Sequence, residues 1–208
     1  KRRTVNILLA MGLSLGLMMW YDGLIDGFNN AIYGNAIRVL GGNIQIHADG
    51  YRAKVDSNPL IPLTDDAAVV QAALARPDVI SATRRIVTGG LLSNREGAFG
   101  VSIIGIDPDA EAALMTEGND AGKPLSLIAQ NIAEGEWLSA DSGDVILIGR
   151  GMADVMDVKV GDRITMVGSD IHKQNRQRTM TVIGIYDVGL PSFEKGSVYI
   201  SLVEAQNL

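Results

Sequence analysis

The chain has 208 residues, 47% hydrophobic and 20% charged, with 24 glycines and 5% aromatics. That length bounds it to one or two domains, and the composition excludes a disordered tail. The absence of cysteine excludes a disulfide framework, thiolate zinc sites and thiol catalysis, and a net charge of −6 argues against a general nucleic-acid binder.

Lys1, Arg2 and Arg3 open the chain, and no charge follows until Asp22. As a helix, residues 4–21 would be ~27 Å long, close to the ~30 Å hydrocarbon core of a bilayer. Trp20 and Tyr21 stand where an interfacial aromatic anchor belongs. The basic cluster before the span and the acidic balance after it place the N-terminus in the cytoplasm and the rest outside. A cleaved signal peptide fits less well. No A-x-A-like site follows, and bulky Met18, Met19, Trp20 and Tyr21 fill the cleavage region. A buried helix of a soluble protein is disfavoured by a charge-free run of this length with matched flanks.

Leu24, Ile25, Phe28, Ile32, Ala36 and Ile37 then recur at three- and four-residue steps, with Asp22, Asp26, Asn29 and Asn30 between them. This predicts that the helix runs on, from about 4 to 40, until Gly41 and Gly42 stop it. Such a helix is about 55 Å long, roughly twice what a bilayer needs, and reads as a stiff stalk.

The remainder predicts mixed α and β structure. Residues 43–48 (NIQIHA) alternate as a half-buried strand does, and 49–63 read as loop. Thr64 is the expected N-cap of a helix that Pro77 ends, with Asp65 and Asp66 in its first turn and an apolar face of Val69, Val70, Ala73 and Leu74. Strands near 79–92 and 98–106 follow, joined by a turn through Asn94 to Gly97, then a short helix near 109–115. The turn-rich run 116–126 marks a subdomain boundary. Further on come a strand at 144–149, a helix at 151–158, a strand at 163–167, an exposed polar loop at 168–178, and strands at 179–186 and 197–201. Ser201 and Glu204 form the pattern of a capping box for a helix that the chain barely enters before Leu208, so the natural protein is expected to continue.

Catalytic patterns fail on context. Gly12, Ser14 and Gly16 spell G-x-S-x-G, but inside the uncharged span rather than between strand and helix. Gly12 and Gly16 read instead as ordinary membrane glycines or as a G-x-x-x-G helix-packing pair. Gly122 and Lys123 lack the first glycine and the Ser/Thr of a phosphate loop, and Gly149 with Gly151 lacks the third glycine of a dinucleotide fingerprint. His47 and His172 belong to no metal-ligand spacing. Asp65 and Asp66 point about 100° apart on a helix and serve capping better than acid–base work. No catalytic, cofactor-binding or metal residue is assigned. Lys173, Arg176 and Arg178 form a basic loop, solvated or docking a partner.

Several segments together carry a resemblance: 40–47 (LGGNIQIH) with Gly50 and Tyr51, 148–153 (IGRGMA), 158–164 (VKVGDRI), 181–189 (TVIGIYDVG) and 197–206 (SVYISLVEAQ). In this order, behind a basic-flanked span and stalk, the chain resembles the FtsX-like permease family of ABC transporters. The likeness is to the first membrane helix and MacB-like periplasmic core domain of the MacB and LolC/LolE type. The resemblance implies an α+β fold, with a membrane and stalk helix over 1–42 and a two-part domain. A Porter-like part with β-α-β units would comprise 43–123 and 180–208, and a β-rich Sabre-like insertion 124–179. It implies a non-catalytic permease subunit in a bacterial inner membrane, working as a dimer with a second copy or paralogue and with a separate cytoplasmic ATPase. A periplasmic carrier or outer-membrane partner would complete the machine. ATP hydrolysis would move the stalks and drive export or lipoprotein release by mechanotransmission. In the lipoprotein-releasing members a hairpin at the position of 167–178 engages a carrier. Here that segment is short, proline-free and basic, a departure from the pattern. Lipoprotein export, small-molecule or peptide efflux and regulation of cell-wall enzymes stay open. The residues alone also allow a membrane-anchored binding module or envelope assembly factor with no ATPase partner.

Overall fold

A computed structural model describes residues 2–40, 42, 44–52, 54, 60–116, 121–169 and 174–208, with side chains left out of the description over 30–40. The chain divides into two units, 1–44 and 45–208. The first is one helix, α1 (Arg2–Leu40). Its start and end match the expected continuous helix. Gly41, named above as its stop, lies outside the described residues.

The second unit is mixed α and β. In chain order come α2 (Asp66–Leu74), β1 (Arg85–Ser93), β2 (Ala98–Ile106), α3 (Pro108–Ala112), α4 (Leu127–Gln130), β3 (Ile132–Gly135) and β4 (Val145–Gly149). They are followed by α5 (Arg150–Met156), β5 (Arg163–Ser169), β6 (Asn175–Tyr186), α6 (Pro191–Gly196), β7 (Ser197–Ser201) and α7 (Leu202–Gln206).

The strands close into a ring. β6 bonds to β4, β4 to β7, β7 to β2, β2 to β1, β1 to β5, and β5 back to β6, while β3 pairs with the C-terminal end of β6. The β4–β6 and β2–β7 pairings are parallel and the others antiparallel. Strands drawn from 124–179 and strands outside that segment share this one ring.

Alternation along each strand sorts the core onto two faces. Leu92, Ile103, Ile146, Ile148, Ile164, Met166, Met180, Val182, Val198 and Ile200 fill the inside, and Met152 and Met156 of α5 pack onto them. Their neighbours Ile104, Ile106, Leu147, Tyr186 and Tyr199 point the other way, where Ile128 and Leu138 cover them. In β6 the inward positions switch from Val182 to Ile185. The pairing skips one residue there, Ile146 facing Val182 and Leu147 facing Gly184. A single extra residue exchanges faces, as a bulge must.

Four expectations are corrected. The strand expected at 43–48 does not form: Asn43 lies outside the described residues, and 44–48 join no strand, with Ile44 81% and Ile46 56% exposed. Alternation supplies a face but not a neighbour to hydrogen-bond with. The N-cap of α2 is Asp65, in the left-handed region at φ 57°, not Thr64. Residues 168–178 are not one loop: β5 runs to Ser169 and β6 starts at Asn175, paired with each other from Arg163↔Thr181 to Ser169↔Asn175. The strand expected from 79 begins at Arg85.

Candidate functional site

The first site element is the helix itself. Arg2–Asn29 is long and apolar enough to cross a membrane, with mean hydropathy 1.5 and no part buried within the chain. Leu9, Leu13, Met19 and Trp20 are each exposed by 65% or more, a surface suited to lipid rather than water. Arg2 and Arg3 sit at its start, while Trp20 and Tyr21 lie ~27 Å further along. Lys1 lies outside the described residues. A Cβ added at Gly12, Gly16, Gly23 or Gly27 would meet nothing within 4 Å. At 100° per residue the four fall within about 60° of one another, so α1 carries one shallow glycine face. The Ser14 hydroxyl donates to the Ala10 carbonyl at 2.6 Å, a helix-internal bond with no base beside it.

Beyond α1, ion pairs tie helices to the ring. Arg85, at the start of β1, meets Glu111 of α3 in a bidentate pair, Nε to Oε1 at 2.7 Å and Nη2 to Oε2 at 2.8 Å. Thr83 Oγ1 donates to the same Oε1 at 3.1 Å. Burial pulls the Arg85 pKa down, but the bond and charge of Glu111 outweigh it and the net shift is upward. Arg150, at the start of α5, donates to Glu134 of β3 at 3.2 Å and to Asp187 after β6 at 3.1 Å, and the Glu134 bond raises its pKa. Glu194 of α6 is buried and accepts from the backbone N–H groups of Val188 (3.0 Å) and Leu190 (3.1 Å), so it holds the turn after β6.

Of the basic cluster expected at 168–178, Lys173 lies outside the described residues, and Arg176 and Arg178 sit on β6. Arg178 turns inward along the domain. It donates to Glu204 of α7, to Asp144 at 3.2 Å and to the Asn207 carbonyl at 3.1 Å. Arg176 is exposed on the same strand, opposite Gly168. His47 stacks on Tyr51 at 3.9 Å and bonds to Gln45, and His172 lies outside the described residues. Ser201 caps α7 by accepting from the Glu204 N–H at 3.3 Å, while the Glu204 carboxylate goes to Arg178 instead of completing the box.

The IGRG run has a packing explanation. A Cβ at Gly149 would stand 2.4 Å from the Glu194 carbonyl oxygen and 2.6 Å from its Cα, so α6 approaches β4 as closely as glycine allows. At Gly151 the Lys195 side chain and the Pro191 carbonyl oxygen crowd the same side, at 2.9 and 3.2 Å. The arrangement fixes helices and turns. Among the described residues it assembles no nucleophile, base and oxyanion set, and no metal-binding group of three. Sequence reasoning missed the Arg85–Glu111 pair and the Arg150 bridge, because partners far apart in the chain leave no local signal.

The family model for the MacB-like periplasmic core domain matches residues 5–208. No curated protein matches the chain. Among solved structures, the extracellular domain of the noncanonic ABC-type transporter YknZ from Gram-positive bacteria aligns with 11% identity and a TM-score of 0.44. That alignment covers 66% of this chain and 63% of the YknZ chain.

Proposed function

The chain belongs to the MacB-like periplasmic core domain family of FtsX-like ABC transporter permeases, and on that premise we propose that it is the stalk-bearing part of a permease of the MacB/LolCDE type. In this reading Lys1, Arg2 and Arg3 stay in the cytoplasm, α1 crosses the inner membrane, and 45–208 lies outside it. ATP is hydrolysed on a separate cytoplasmic chain. The permease pairs with a second copy or paralogue and passes the stroke outward to drive export or lipoprotein release. Residues 43–123 with 180–208 act as the Porter-like part, and 124–179 as a Sabre-like insertion whose strands complete the shared ring. Arg176, exposed on β6, is the residue of the basic cluster best placed to meet a carrier or outer-membrane partner.

The observation that carries this reading is the length of α1. Its 39 residues form one helix of roughly 58 Å, so the span and the stalk are a single rod. A rod transmits displacement, and a flexible joint does not. Two glycines inserted after Asn30 should leave ATP hydrolysis running and reduce transport at least tenfold in reconstituted vesicles. Unchanged transport would refute rigid transmission. Purification of the full-length protein without any ATPase would instead favour an anchored binding module.

A further inference from the structure

The ring has a cleft at one end, of about 630 Å³, between the β1–β2 turn and the α5–β5 connection. Its size falls within the range of small-molecule sites. Met156, fully buried, and Val158, 8% exposed, back it, so its apolar surface is small and comes from Val158. Arg95 and Glu96 line it from the β1–β2 turn, and Asp157 and Arg163 from the α5–β5 side. Among the described residues neither arginine has an ion pair, and the Glu96 and Asp157 carboxylates accept no hydrogen bond. This contrasts with Arg84, Arg85, Arg150 and Arg178, all committed to carboxylates.

The walls are held in place. Asn94 Nδ2 donates to the Met156 carbonyl at 2.7 Å, which clasps the β1–β2 turn to the end of α5. Asp162 Oδ2 accepts from the Lys159 N–H at 2.8 Å and fixes the turn into β5. A preorganised cleft loses less on binding than a mobile one.

The geometry points to a binding site for a small zwitterion with an apolar body, of the free α-amino-acid class. Its carboxylate is taken by Arg95 and Arg163, its ammonium by Glu96 and Asp157, and its side chain rests on the exposed edge of Val158. Charge of one sign would meet an uncommitted group of the same sign, so a purely anionic or purely cationic ligand is disfavoured. The site is independent of the transport reading and needs no stalk or ATPase.

Saturation-transfer NMR on the full chain in lipid nanodiscs tests it, with L-leucine as the probe. Isocaproate (carboxylate only), isoamylamine (ammonium only) and leucine capped at both ends serve as comparators. Leucine should bind saturably and each comparator at least tenfold more weakly. Arg163→Gln and Glu96→Gln should each weaken leucine about tenfold, whereas exposed Asp141→Asn should not. Thermal melts check that each variant is folded. No saturable signal up to about 10 mM, a value that corresponds to negligible affinity, would overturn the proposal. So would capped leucine binding as well as leucine, or leucine binding unchanged in both cleft variants.

Discussion

Arg85 and Glu111 lie edge to edge across the seam between β1 and α3, two parallel bonds of 2.7 and 2.8 Å to a carboxylate only 1% exposed. Twenty-six positions separate them in the chain, and the pair fixes α3 against the ring. Removing one partner strands the other as a buried charge, which is the costly way to break such a pair. Glu111→Ala should destabilise the domain by about 3–5 kcal/mol in urea unfolding. Arg85→Met combined with Glu111→Leu should recover most of that loss. A double variant no better than Glu111→Ala would mean that packing, not charge, dominates the site.

The two core tyrosines give the pH dependence a sign. Tyr186 and Tyr199 are fully buried, and burial raises both phenol pKa values above the usual 10.0. A raised folded pKa means stability that is complete below the unfolded value and is lost as pH rises through the folded one. The domain should therefore weaken progressively above about pH 10, and the phenolate absorbance of these two residues should appear only with unfolding. Ionisation ahead of the loss of circular dichroism would contradict this.

Their hydroxyls should also respond differently to deletion. Tyr186 Oη donates to the Ser197 carbonyl at 2.8 Å, whereas Tyr199 Oη has no hydrogen-bond partner among the described residues. Tyr186→Phe should cost about 1 kcal/mol, and Tyr199→Phe should be neutral or stabilising. Equal losses in equilibrium unfolding would show that the Tyr199 hydroxyl is satisfied.

Gly149→Ala should cost about 1–3 kcal/mol, because the new methyl meets the Glu194 backbone, which cannot rotate away. Gly89→Ala is the control, since nothing lies within 4 Å of its Cβ position. It should change stability by no more than about 0.5 kcal/mol.

Gly12 and Gly16 predict a helix contact in the membrane. Leucine at both positions should weaken association of α1 with its membrane neighbour by about 1–2 kcal/mol, read by cysteine cross-linking efficiency in vesicles. Unchanged cross-linking would leave these glycines as ordinary lipid-facing residues.

Much of the fold is legible where one face is apolar. Ile103 and Ile146 to Ile148 announce their strands, and the turn through Asn94 closes as expected, with Asn94 N–H donating to Gly97 at 3.0 Å. Legibility fails where the backbone ladder alone makes the strand. Asn175, Gln177 and Thr179 are exposed, so the start of β6 carries no apolar signal and reads as loop. β3 spans only four residues and includes Glu134, and α6 has six and begins at Pro191. Both are set by their neighbours rather than by periodicity. The cleft was illegible for a similar reason: Arg95 and Arg163 come together only once β1 and β5 pair.

The strand ring also governs how the domain comes to be. Its longest-range seam joins β2 to β7, with Ser102 opposite Ser197, after most of the intervening chain has been laid down. Contacts between residues so distant in sequence form late, because the entropy of closing the loop must be met before any bond rewards it. The domain should therefore fold slowly, with β5–β6 formed early as a local hairpin and the closing seam rate-limiting. Once shut, no strand of the ring can be peeled away singly, since each is held on both sides. Slow assembly and slow disassembly thus share one cause.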